Sequence, residues 1–144
     1  MIVCDTRERK NECILKYFEE NEIPYIQKKL DVGDYMDSER MDVSIDRKRN
    51  LGELVKNMLS HDKIRFWKEI RRASRAGIRL IVLCEHGEGY KRMEDVSKYK
   101  DRHSKASGRS LMNEMQRAKI AYGVEFLFCD RVSAGRRILE LLSQ

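Results

Sequence analysis

The chain opens on an apolar triplet, Ile2-Val3-Cys4, that stops at Asp5 and predicts a short strand. Over residues 9–21 the apolar positions Cys13, Ile14, Tyr17 and Phe18 recur at the period of a helix with one buried face, and Pro24, the single proline, stops it. Residues 25–30 read as a second strand, and 32–36 continue into a third. Asp37-Ser38-Glu39-Arg40 is a polar turn, after which 43–48 alternate again, so this stretch predicts a hairpin. Two helices follow. The first covers 51–59; the second covers 64–76, with Asp62 as its cap, Ile64, Trp67 and Ile70 as its apolar stripe and Gly77 at its end.

Residues 80–84, Leu-Ile-Val-Leu-Cys, are unbroken apolar sequence, as in a central strand buried on both faces. A short helix at 93–99 precedes a basic segment, 100–108, with the composition of a mobile loop. Helix 110–122 carries Leu111, Met115, Ala118 and Tyr122 on one face; strand 124–129 and helix 133–142, capped by Asp130, close the chain. Strands and helices alternate, with hairpins confined to the first half. The pattern predicts an α/β fold, a mixed β-sheet flanked by helices on both faces, in one domain over 1–144.

Composition narrows the picture. Lys and Arg number 30 against 24 Asp and Glu, a net charge of +6, which favours a polyanionic partner such as nucleic acid. No apolar run reaches membrane-span length and no signal-type segment opens the chain, so the expected location is cytoplasmic, with no membrane partner. Cys4, Cys13, Cys84 and Cys129 are scattered without a paired spacing, which argues against structural zinc or disulfides. The dispersed His61, His86 and His103 read as surface residues.

The chemistry concentrates between Gly33 and Lys48. Strand alternation puts Ser44, Asp46 and Lys48 on one face and Val43, Ile45 and Arg47 on the other. Hairpin pairing can bring Asp34 beside Asp46, with Lys48 one pleat further. Two convergent carboxylates, with waters and a substrate phosphate, complete the octahedron of a hard cation such as Mg²⁺. A lysine beside them can orient the attacking water and offset charge in the transition state. Asp34 followed by Asp46-Arg47-Lys48 has the order of the PD-(D/E)xK nucleases.

Three segments in succession, Asp5-Thr6-Arg7-Glu8, Gly33-Asp34-Tyr35 and Ile45-Asp46-Arg47-Lys48, resemble the motifs of the XPF family of structure-specific endonucleases. The likeness extends through Asn50-Leu51-Gly52-Glu53-Leu54, Lys63-Ile64-Arg65-Phe66 and strand 80–84, and more weakly over 99–129, so it covers nearly the whole chain. It implies a restriction-endonuclease-like core and Mg²⁺- or Mn²⁺-dependent hydrolysis of DNA, at flaps, forks or junctions, in a setting such as repair or recombination. On this resemblance Asp34 and Asp46 bind the metal and Lys48 acts at the nucleophile. Asp5 is an accessory carboxylate and metal ligand supported by Glu8 and Arg7, and Glu8 and Arg47 belong to the catalytic group. Two positions depart from the family: Asp46 stands where Glu is usual, and Gly52, beside Glu53, stands where an acidic residue is common. No helicase or helix-hairpin-helix segment accompanies the motifs, so the chain resembles a compact, stand-alone phage or bacterial version.

Two basic surfaces are candidates for holding DNA, beside Arg7. Arg65, Lys68, Arg72 and Arg75 recur along helix 64–76 and match phosphates spaced along a backbone. Lys98, Lys100, Arg102, His103, Lys105 and Arg109 cluster in the loop, where Tyr99 could stack on an unpaired base. The family resemblance adds a homodimer formed through the C-terminal half. Competing readings are a non-catalytic DNA-binding module that keeps the nuclease fold, and a basic protein-interaction domain.

Overall fold

In the computed structural model, which describes residues 1–87 and 89–144, one six-stranded sheet runs through the molecule. Its strands are β1 (Ile2–Cys4), β2 (Tyr25–Gln27), β3 (Tyr35–Asp37), β4 (Arg40–Lys48), β5 (Arg79–Cys84) and β6 (Glu125–Phe128), in the spatial order β2-β1-β3-β4-β5-β6. The β1–β3 and β3–β4 pairs are antiparallel, and β1–β2, β4–β5 and β5–β6 are parallel. The sheet is therefore mixed, as the alternation of elements implies.

Helices α1 (Glu12–Glu20) and α5 (Ala134–Leu142) cover one face, where Ile14, Phe18, Ile138 and Leu141 pack on Val43, Ile45, Ile81 and Leu83. Helices α2 (Leu51–Leu59), α3 (Lys63–Arg75) and α4 (Gly108–Tyr122) cover the other, around Leu54, Phe66, Ile70, Val82 and Met115. Alternate residues of β5 thus serve both cores, which is why the strand is apolar from Leu80 to Cys84, with only Arg79 at its start charged and exposed. Burying each such side chain contributes roughly 1.5–3 kcal/mol. Among the described residues no helix is long and apolar enough to cross a membrane.

Several boundaries differ from the sequence pattern for identifiable reasons. Helix α1 starts only at Glu12, because Lys10 takes a positive φ of 53° and breaks the turn before it. The strand expected over 25–30 ends at Gln27, and β3 begins at Tyr35; residues 31–34 form a bend between them. On α3 the buried stripe is Phe66, Ile70 and Ala73, while Ile64 is exposed. The basic segment 100–108 is tied down, by a bridge between Lys100 and Ser107 and by hydrogen bonds from Tyr99 and Ser104 to Asp101. Asp130 accepts the Ser133 N–H at 2.8 Å, as a cap at the entry to α5. All four cysteines are free.

Candidate active site

The register of the hairpin builds the site. Tyr35 pairs with Ile45, so the next residues outward, Asp34 and Asp46, lie across from each other. Gly33 makes the bend with φ 71°, and a Cβ there would meet Ser44 Oγ at 2.1 Å, so only glycine lets the bend lie against β4. Asp34 is pinned by three bonds: its N–H donates to Ile45 O (2.7 Å), its carbonyl accepts from Asp5 N (2.8 Å) and Oδ2 accepts from Arg47 N (2.8 Å). Asp46 and Lys48, two residues apart on one face of β4, pair at 3.0 Å with both side chains buried. The Lys48 ammonium also lies 4.8 Å from the centre of the Phe66 ring on α3.

A third carboxylate joins them. Glu69 of α3 accepts the Gly33 N–H at 2.9 Å and lines the same cleft as Asp34, Asp46 and Lys48. Burial, with Asp46 beside it, pushes the Glu69 carboxyl up to about 7. Asp34 is raised well above the usual carboxylate range, first by burial and then by Asp46 and Glu8, with Lys48 and the Arg47 N–H offsetting part. For Lys48, burial works against the charge, but Asp46 and Asp34 outweigh it and hold the ammonium above its ordinary value. Asn57 of α2 lines the cleft too, and its buried Oδ1 has no partner among the described residues. Around Lys48 the carboxylates of Asp34, Asp46 and Glu69 line the cleft together.

Asp5 is fully engaged: Oδ1 accepts from Leu30 N (2.8 Å) and Arg7 Nη2 (3.1 Å), and Oδ2 from Arg7 Nε (2.9 Å) and N (3.2 Å). Burial alone would raise this carboxyl; Arg7 and the Leu30 N–H outweigh it and hold it below the usual range. Arg7 Nη2 also donates to Leu30 O at 2.7 Å. Arg47 leaves β4 on the opposite face. Its guanidinium forms a close ion pair with Glu85 and donates to Glu8 Oε2 (3.1 Å), Arg9 O (3.0 Å) and Lys10 O (2.9 Å). Tyr35 Oη donates to the same Glu8 oxygen at 2.7 Å and accepts from Asn11. This network ties residues 8–11 to the hairpin.

The cleft, of about 540 Å³, is rimmed by Arg65, Lys68 and Arg72 of α3, joined by Arg49 and Lys56. Arg65 is exposed and pairs with Asp62 at 3.3 Å, and Arg72 Nε donates to Asp31 O at 2.9 Å. Arg75 lines a more open depression that adjoins the cleft and shares Lys68 and Arg72 with it. Lys100, Arg102, Lys105 and Arg109 are exposed but do not line the cleft. Glu53 lines it while pairing with Arg49 at 3.3 Å.

Two expectations are corrected. Tyr99 is not presented for stacking: its ring packs edge-on against His86 and Tyr90, and its hydroxyl donates to Asp101. His86 is half-buried rather than superficial, and its Nδ1 accepts the Leu51 N–H at 2.9 Å at the start of α2. Glu69 and Glu85 went unread in the sequence. The signal for Glu69 was there, a lone acid inside the basic stripe Arg65, Lys68, Arg72; Glu85 carries none beyond following an apolar strand.

A mixed sheet with helices on both faces, and two aspartates and a lysine converging at the end of its central hairpin, defines the restriction-endonuclease-like nuclease fold. The chain belongs to the ERCC4 domain family, whose model matches residues 4–136, in agreement with the XPF-type motifs. XPF from Aeropyrum pernix has a similar solved structure, with a TM-score of 0.73 at 19% identity, over 99% of this chain and 65% of that one. Its complex with DNA matches at 0.72 and 20%, over 99% and 62%. The chain therefore spans less than two thirds of the length of these neighbours. No curated protein matches the chain.

Proposed function

We propose that the chain is a divalent-metal-dependent endonuclease that hydrolyses DNA, with Mg²⁺ or Mn²⁺ as its ion and branched or partly single-stranded DNA as its substrate. The observation that carries this reading is the hairpin register that sets Asp34 against Asp46, with the buried Lys48 paired to Asp46, in a cleft rimmed by arginine and lysine. Among the described residues no three acidic, histidine or cysteine side chains are grouped to hold a metal by themselves. That suits Mg²⁺, which is held by one or two carboxylates and keeps waters and substrate phosphates for its remaining positions. One oxygen each of Asp34 and Asp46 is taken by a protein donor, which leaves the other for a hard cation.

Asp34 and Asp46 would hold the ion, which when bound would supply polarisation of the scissile phosphate and compensation of its developing charge. Lys48, kept protonated by its carboxylate neighbours, orients the attacking water and offsets charge in the transition state. Asp5, whose oxygens are occupied, acts through the backbone by fixing Asp34 from its own N–H, with Arg7 locking its carboxylate. Arg47 and Glu8 hold the preceding segment in place. Arg65, Lys68 and Arg72 receive phosphates at the rim, and Lys100, Arg102, Lys105 and Arg109 reach the arms of a branched substrate. A homodimer through the C-terminal half is supported by Ile120 and Val132, which stand 86% and 84% exposed there. The second structural neighbour is a complex with DNA, which supports DNA as ligand.

The test is cleavage of labelled duplex, flap, fork and four-way junction with Mg²⁺, with Mn²⁺ and with EDTA. Cutting of the branched substrates that needs either ion is expected. Binding without cutting under every condition would make the chain a non-catalytic module, and equal cutting of all substrates would remove the branched preference.

A further inference from the structure

We infer that Glu69 and Arg72 form a two-point clamp through which α3, the helix carrying the DNA-facing cations, holds the Gly33–Asp34 bend in the position that metal binding requires. The inference rests on the nuclease reading above and adds residues outside its motifs. The geometry is specific. Glu69 and Arg72 lie one turn apart and so share a helix face. Glu69 Oε1 takes the Gly33 N–H at 2.9 Å, and Arg72 Nε gives a hydrogen bond to Asp31 O at 2.9 Å. Both ends of the bend are thus tied to one helix.

On its other side the bend is tied to β4. Ser44 Oγ donates to Val32 O at 2.7 Å, and Asp34 N–H to Ile45 O at 2.7 Å. At Gly33 the packing against Ser44 is too close for even one added carbon, so the bend cannot shift that way. On the side away from β4 the bend is held by its two bonds to α3. The Gly33 N–H, on a half-buried bend outside the ladder, would lose its acceptor without Glu69, and an unpaired donor favours a shift of the bend toward water. Asp34 follows Gly33 directly and would move with it.

Arg72 makes its bond through Nε while the side chain stays exposed, so its terminal nitrogens remain available to a phosphate. A DNA strand held along Arg65, Lys68 and Arg72 therefore presses on the same helix that positions Asp34. The clamp couples phosphate contact to the metal site by direct hydrogen bonds, with no moving part beyond the bend.

The experiment measures Mn²⁺ uptake by the DNA-free protein, from the loss of the free-ion paramagnetic resonance signal, beside cleavage as a function of Mn²⁺ concentration. Glu69→Ala is expected to weaken Mn²⁺ binding about tenfold or more, the usual cost of removing a group that orients a ligand. Cleavage should recover as Mn²⁺ is raised. Glu69→Gln keeps an acceptor for the Gly33 N–H and should restore most of the Mn²⁺ affinity. Arg72→Ala, on an exposed position where folding is safe, should shift the Mn²⁺ curve in the same direction by less. Wild-type Mn²⁺ affinity in Glu69→Ala would overturn the clamp, as would a Gln variant as weak as the Ala variant, since charge would then be what Glu69 supplies. Asp34→Asn serves as the control: uptake equal to wild type in that variant would instead overturn the metal reading itself, and the clamp with it.

Discussion

Neighbouring residues of β4 feed two ionic networks, one on each face of the sheet. On the α1–α5 side Arg47 meets Glu8, Glu85 and the carbonyls of Arg9 and Lys10, so that every part of the guanidinium has an acceptor. On the α3 side Asp46 meets Lys48, with Asp34 and Glu69 lining the same cleft, and three carboxylates face one buried cation. In the first network every guanidinium nitrogen finds its acceptor within the protein. In the second, three carboxylates share one lysine, and burial, with acidic neighbours after it, raises the carboxyls of Asp34 and Glu69. Both use arginine or lysine beside acid, and both belong to one four-residue motif. Completeness separates them: a satisfied network stabilises the fold, and an unsatisfied one awaits an ion.

Removing members of each network is the strongest way to break this distinction. Arg47→Ala leaves Glu8 and Glu85 buried without their cation, and should cost about 3–5 kcal/mol in denaturant unfolding. Asp34→Asn keeps an oxygen for the Arg47 N–H while relieving repulsion, so the metal-free protein should be at least as stable as wild type. Its cleavage should nevertheless fall by about 10²-fold or more, as should that of Lys48→Ala. Equal destabilisation by Arg47→Ala and Asp34→Asn would erase the difference between the two faces.

Smaller in size is the pH dependence of stability without metal. Glu69 is raised from 4.5 to about 7 in the folded protein, so between those values the native state holds a proton that the unfolded chain has released. Stability from this group is full below pH 4.5 and is lost as pH rises through 7. After discounting for water in the open cleft, the change is on the order of 1 kcal/mol. Thermal unfolding in EDTA, read as the difference between wild type and Glu69→Gln from pH 4.5 to 7.5, should show it. A difference that is flat across that window would mean that the cleft is better balanced than its carboxylates imply.

The smallest effects concern the rim. Arg65 is exposed and should act as a plain phosphate contact. Arg65→Ala should weaken binding to all sequences alike and make the salt slope shallower by about one unit, as should Lys68→Ala. Salt titrations of binding to duplex and flap DNA check this. Unchanged slopes in both variants would place the DNA path elsewhere, toward the loop holding Arg102 and Lys105.

Much of the molecule was legible beforehand where a residue's surroundings are its own neighbours. The bounds of α2, the double-sided burial of β5 and the division of Asp46 and Lys48 from Arg47 follow from local periodicity, which states which face a side chain takes. The same periodicity placed Asp34 beside Asp46, although on a strand, where it occupies a bend just before one. Tertiary structure decided the rest. Pattern alone could not show that Asp5 would be saturated by Arg7 and Leu30, that His86 would cap the approach to α2, or that Arg47 would close a structural network. Nor could it bring Glu69 to Gly33 across 36 residues or Glu85 to Arg47 across 38. Periodicity records the direction in which a side chain leaves its own element; its partner is set by how separate elements pack, and that is a property of the whole folded chain.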